Sequence, residues 1–125
     1  MTTKRSRAVV AIVDDDESVR MATSSLLRSA KWKVMTYDSA SHLLGDTHRC
    51  ELKLVVTDIQ MPGLDGFALL EAIKLWPKPV PVIFITAYAT PELRERAEVG
   101  GAAGFFSKPV DDARLLGLIG ETLRR

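Results

Sequence analysis

Four runs of apolar residues punctuate the chain: Ala8 to Val13 (AVVAIV), Leu54 to Thr57 (LVVT), Val80 to Ile85 (VPVIFI) and Ala103 to Ser107 (AGFFS). A weaker fifth covers Lys33 to Tyr37. The runs are continuous rather than alternating, the pattern of strands buried on both faces in a parallel sheet. Between them the spacing turns helical. Val19, Ala22, Leu26, Leu27 and Ala30 recur after an acidic start at Asp16 and Glu17, which predicts a first helix. Ser39 can cap a second that carries Leu43 and Leu44. Phe67, Leu70 and Ile73 mark a third, expected to end before Pro77. Thr90 followed by Pro91 opens a fourth. Its only core candidates are Leu93 and Ala97, amid five charged residues from Glu92 to Glu98, so it is expected to pack loosely. Leu115, Leu118, Ile119 and Leu123 mark a fifth, interrupted by Gly117 and Gly120.

Five strand–helix units in order predict right-handed crossovers and one α/β domain, its parallel sheet covered on both faces. A chain of 125 residues suits one domain with one core. Residues 1–7 read as a flexible leader and 8–125 as the domain. The leader's basic cluster, Lys4, Arg5 and Arg7, reads as a solvated tail. Seventeen basic against sixteen acidic residues argue against a nucleic-acid-binding face. Cys50 is the only cysteine, which excludes an internal disulfide and a cysteine-cluster metal site. No run approaches the roughly 20 apolar residues of a membrane span. The expectation is a cytoplasmic protein with no membrane partner.

In open α/β sheets, ligands bind beyond the carboxyl ends of the strands, where the winding reverses. The residues that end each run are therefore the candidates. Strand one ends in Asp14, Asp15 and Asp16; strand three in Asp58; strand four in Thr86; strand five in Lys108. In the winding order 2-1-3-4-5, strands one and three are neighbours, which brings Asp14 and Asp15 beside Asp58. Three converging carboxylates without histidine or cysteine favour a hard cation, and Mg²⁺ suits few carboxylates plus phosphate and water. Asp58 is then a carboxylate nucleophile able to form an acyl-phosphate. Lys108 and the Thr86 hydroxyl are placed to stabilise charge on phosphoryl oxygens.

The segments V-D-D-D at 13–16, T-D-I-Q-M-P-G-L-D-G at 57–66, F-I-T-A at 84–87 and F-F-S-K-P at 105–109 resemble response-regulator receiver domains of bacterial two-component signalling. The resemblance runs from Ala8 to about Leu123. It implies a doubly wound, flavodoxin-like fold with five strands and five helices. Asp58 then resembles the phosphoacceptor, and Asp14 with Asp15 the acidic pair that binds Mg²⁺. The backbone carbonyl of Gln60 would complete the metal shell, and Thr86 and Lys108 would contact the phosphoryl group. Phe105 matches the switch aromatic, expected outward without phosphate, and the Lys108–Pro109 bond is expected cis. Val110 departs from the family's frequent phenylalanine, which leaves the chemistry intact. The implied partners are a sensor histidine kinase or phosphotransfer protein and, after phosphorylation, a second copy of the chain. The surface of helix four, strand five and helix five would switch, controlling an output such as transcription. Such a domain is a phosphoacceptor in a phosphorelay rather than an enzyme.

Other readings are weaker. A pseudo-receiver used only as a surface would be expected to lose an acid, the threonine or the lysine, and all are present. Asp14-x-Asp16 loosely imitates the nucleophile loop of haloacid-dehalogenase-like phosphatases, but no acid pair follows strand four. Asp16 is better read as a helix cap. Gly100, Gly101 and Gly104 fit no phosphate-loop spacing and read as a helix stop and turn. His42 and His48 read as surface residues. Trp32, Trp76 and Phe106 read as packing.

Overall fold

Each apolar run forms a strand close to its expected bounds. The computed structural model describes residues 8–124; the proposed leader with its basic cluster lies outside them. The strands are β1 (Val9–Val13), β2 (Lys33–Tyr37), β3 (Leu52–Asp58), β4 (Val82–Thr86) and β5 (Gly104–Ser107). They pair in parallel in the order β2-β1-β3-β4-β5. All five residues of β1 and all five of β4 are buried, as a strand covered on both faces requires.

Five helices connect and follow the strands: α1 (Glu17–Ser29), α2 (Ala40–Leu44), α3 (Gly66–Lys74), α4 (Pro91–Val99) and α5 (Asp112–Leu123). A 3₁₀ turn, Arg49–Glu51, precedes β3. Every α-helix starts on a side-chain cap. Asp16, Ser39 and Thr90 accept from the amides of Val19, His42 and Leu93. Asp65 and Asp111 do the same for Ala68 and Arg114. A cap of this kind contributes about 1 kcal/mol, and it fixes where each strand-end loop turns into helix.

The sheet divides the core in two. Val9, Ala11, Val13, Val55, Val82 and Phe84 face α2, α3 and α4. Val10, Ile12, Leu54, Val56, Ile83 and Ile85 face α1 and α5. One irregularity breaks the pairing of β1 with β3: Val9 pairs with Leu52, but Val10 pairs with Leu54. The extra residue, Lys53, is exposed.

One expectation needs correction. Ala22, expected on the core stripe of α1, is exposed, and Ser24 is buried instead. With Thr23, Leu27 and Ala30 on the covered side, the stripe is rotated from the one apolarity suggests. A small side chain of either polarity fits where a helix lies close to a sheet, so Ala22 carried little information. The fourth helix, α4, buries only Ala97 fully, in line with its sparse apolar pattern, and two of its arginines lie over aromatic rings. The Arg94 guanidinium lies 4.7 Å from the Phe105 ring centroid and that of Arg96 4.0 Å from Phe67, both within cation–π range.

Two glycine substitutions should have opposite effects. A Cβ on Gly66 would lie 2.6 Å from the Asp58 carbonyl oxygen and 2.9 Å from the Ile59 Cα. Both are backbone atoms that cannot yield cheaply, so Gly66→Ala should lose about 1–3 kcal/mol. A Cβ on Gly117 meets nothing within 4 Å, and Gly117→Ala should gain up to about 1 kcal/mol of helix stability. Urea unfolding midpoints of the two variants check both signs.

Candidate functional site

The register of the sheet assembles the site. Val13 pairs with Thr57, so the next residues, Asp14 and Asp58, emerge side by side at the carboxyl ends of β1 and β3. Both are buried, at 4% and 8% exposure. Asp15 is exposed. One oxygen from each of Asp14, Asp15 and Asp58 can be chosen so that all three lie within 4.8 Å of one another. On the other flank Ser107 pairs with Thr86, and the Lys108 amide donates to the Thr86 carbonyl at 2.8 Å. The Lys108–Pro109 bond is cis. The Lys108 ammonium reaches across to both buried acids, 3.1 Å from Asp14 Oδ2 and 3.0 Å from Asp58 Oδ2.

The remaining carboxylate oxygens are held by the main chain. The Asp16 amide donates to Asp14 Oδ1 at 2.9 Å, and the Ile59 amide to Asp58 Oδ1 at 2.7 Å. Arg20 Nη1 donates to the Asp14 carbonyl at 2.7 Å. Burial dominates the titration of Asp58 and raises its pKa above the ordinary carboxylate value; the neighbouring Asp14 charge adds to this, and Lys108 and the Ile59 amide only partly offset it. For Lys108, burial pulls downward, but hydrogen bonds to Asp58 and Asp14 and their charges outweigh it and leave the pKa raised. The ammonium is thus fixed as a cation by the two acids that it joins.

Thr86 is wholly buried, and its hydroxyl is engaged. It donates to Gln60 Oε1 at 2.6 Å and accepts from the Tyr88 amide at 3.1 Å. The side chain of Gln60 therefore has a contact of its own, apart from the carbonyl that the sequence singled out. Phe105 is half-buried, packed against the core on one side and lying under the Arg94 guanidinium. Phe106 packs on the opposite face of the sheet. His42 and His48 are exposed, Trp32 is buried and Trp76 half-buried.

Sequence reasoning missed Arg20, the Gln60 side chain and the Asp16, Ile59 and Tyr88 amides. The main-chain donors carry no residue-type signal. Arg20 reads as an ordinary first-turn residue of α1, and only the fold shows that it points back at strand one.

Comparison with known proteins decides the family. The family model for the response regulator receiver domain matches residues 10–120. The chain belongs to the response regulator receiver family. Among curated relatives, the transcriptional regulatory protein FixJ of Bradyrhizobium diazoefficiens is 34% identical over the whole chain and 60% of its own length. The response regulator protein TodT of Pseudomonas putida is 34% identical over 94% of the chain and 52% of its own length. The chain thus spans between half and two thirds of these relatives. A response regulator receiver domain protein from Clostridium thermocellum superposes with a TM-score of 0.86 at 28% identity, covering 94% of this chain and 95% of that one. This receiver domain is thus a signalling module of bacterial two-component systems, and its parallel 2-1-3-4-5 winding is the one expected. Among the described residues, no helix is long and apolar enough to cross a membrane.

The raised Asp58 pKa gives a signed prediction. A carboxyl whose folded pKa exceeds its unfolded value favours the fold when protonated, and that advantage is lost as pH rises through the folded pKa. With metal chelated, Asp58→Asn should therefore stabilise the domain at pH 7. The gain over wild type should vanish below about pH 4, where a carboxyl is itself neutral. Chemical denaturation of both proteins from pH 3.5 to 8 measures the difference.

Proposed function

We propose that Asp58 accepts a phosphoryl group from a sensor histidine kinase or phosphotransfer protein, and that the modification is read on the surface formed by α4, β5 and α5. The observation that carries this reading is the Lys108 ammonium bridging Asp14 and Asp58 at 3.1 and 3.0 Å. A half-buried lysine between two buried acids holds a carboxylate nucleophile beside a fixed positive charge, the arrangement that phosphoryl transfer needs.

The donor set also fits a magnesium ion. Asp14, Asp15 and Asp58 offer only oxygen, and one cation for three carboxylates leaves negative charge over. Asp14, Asp15, Asp58 and the backbone carbonyl of Gln60 would hold Mg²⁺. When bound, the ion supplies charge neutralisation at the phosphoryl oxygens. The chain's own groups do the rest. An Asp58 carboxylate oxygen forms the new bond to phosphorus as the donor's bond to phosphorus breaks, its electron pair leaving with the donor. Lys108 donates to a phosphoryl oxygen in place of Asp58 Oδ2.

Thr86 would leave Gln60 and donate to another phosphoryl oxygen. That exchange draws the carboxyl end of β4 inward and frees space next to Phe105, which would move inward from under Arg94. α4 yields readily, because Ala97 is its only fully buried residue. Phosphorylation adds net charge and three strong acceptors, and a full swing from 1:99 to 99:1 needs about 5.5 kcal/mol of differential binding. Phosphoryl contacts and association of a second copy on this face would share that difference. Control of transcription is the output proposed from relatives such as FixJ, a transcriptional regulatory protein.

Incubation with Mg²⁺ and acetyl phosphate should add one phosphoryl group to Asp58, read by intact mass and by mapping of the borohydride-trapped ester. Labelling of Asp58→Asn at the wild-type level would overturn the assignment. Mg²⁺ should raise the melting temperature, with about 2.7 kcal/mol of stabilisation at 100 times the dissociation constant. Asp15→Ala should abolish that rise. Gln60→Ala should keep it, since the backbone carbonyl remains, while it loses about 1 kcal/mol in metal-free stability through the lost Thr86 hydrogen bond. A ¹⁹F label on Phe105 should shift when Asp58 is modified, and a fixed signal at full modification would place the switch elsewhere.

A further inference from the structure

The end of the sheet opposite Asp58 carries a second concave site. A cavity of about 860 Å³ opens at the amino ends of β3 and β4, lined among others by Arg49, Lys53, Trp76, Lys78, Pro79 and Pro81. That volume lies in the range of small-molecule sites. Its wall combines two chemistries. Trp76, three prolines, Val80 and Leu52 form an apolar surface, and the prolines keep the segment before β4 stiff, so little conformational freedom is lost on binding. Arg49, Lys53 and Lys78 add three cations against a single carboxylate, Asp46.

That carboxylate is already committed. Asp46 accepts from the Tyr37 hydroxyl and the His48 amide, bonds that lower its pKa. Among the described residues none of the three cations is in an ion pair. Arg49 is nonetheless oriented, since it donates to the Leu44 carbonyl and stands 5.8 Å from the Trp76 ring centroid. Lys53 is the extra residue of the β1–β3 irregularity, which sets a charge on a strand end that would otherwise be apolar.

From this pairing of an indole and proline wall with unanswered cations, we propose that the cavity is a binding site for a small aromatic carboxylate. An inorganic anion would leave the apolar wall wet, and a neutral aromatic would leave the cations unanswered. One or two rings with a carboxylate satisfy both. The site lies at the far end of the strands from Asp58, Thr86 and Lys108, so both ends of the sheet can be occupied together.

The unaltered, ¹⁵N-labelled chain titrated with 1-naphthoate tests this by NMR. Saturating shifts are expected at the Trp76 indole N–H and at the amides of Arg49, Lys53 and Lys78, with millimolar or tighter affinity. 1-Naphthamide, which lacks the charge, should bind about 10-fold more weakly, as should cyclohexanecarboxylate, which lacks the ring. The Lys53→Gln/Lys78→Gln variant alters only exposed side chains and should lose about 10-fold in naphthoate affinity. Cys50, exposed on the cavity wall, should be alkylated more slowly at saturating naphthoate. The proposal is overturned by shifts that do not saturate to about 10 mM, or by shifts centred on Asp58. Equal binding of naphthamide, an unchanged double variant, or self-association that covers Trp76 without ligand would overturn it equally.

Discussion

One ammonium group holds the working end of this domain together. Asp14 and Asp58 leave neighbouring strands with their carboxylates buried and close, and unit charges a few ångströms apart repel strongly where water is excluded. Lys108 answers both. It also ties β5 to the centre of the sheet, because its amide is bonded to Thr86 while its side chain spans to β1 and β3. Removing it would leave two uncompensated buried acids, the situation that costs most in a folded interior.

The rest of the architecture delivers these groups to one place. Parallel pairing puts every carboxyl strand end on the same edge, and the 2-1-3-4-5 order sets β1 and β3 together at the reversal of the winding. The caps at Asp16, Asp65 and Thr90 turn the chain into helix just past that edge, so the loops stay short and the acids fixed. The two hydrophobic layers give the sheet its rigidity but have no part in the chemistry.

Much of this was legible in the residues. Short, β-branched continuous runs such as VVAIV read as strands covered twice, and the polar residues that end them stand out against their apolar neighbours. What could not be read depended on orientation. Ala22 and Ser24 differ too little in size for polarity to say which faces the sheet. Arg20 carries no mark that it turns back towards Asp14. Nor does Phe105 announce that a guanidinium from α4 covers it. Lys53 reads as a charged residue beside a strand, and only the shifted pairing with β1 shows that it belongs to β3. The glutamine at 60 was noted for its carbonyl, while its amide group proved to hold the Thr86 hydroxyl.

Gly66 makes the two walls of the pocket mechanically unequal. Its missing side chain lets α3 settle directly on the carbonyl of Asp58, and its amide is bonded to Ile59 besides. The acceptor wall is thereby clamped between a helix start and the central strand. The facing wall, from Thr86 through Tyr88 to α4, rests on the two hydrogen bonds of the Thr86 hydroxyl, a single fully buried alanine and two arginines laid over aromatic rings. Any perturbation introduced between them must be taken up almost wholly on the softer side. A ratchet is built on the same asymmetry: an anvil that does not move gives direction to a part that does.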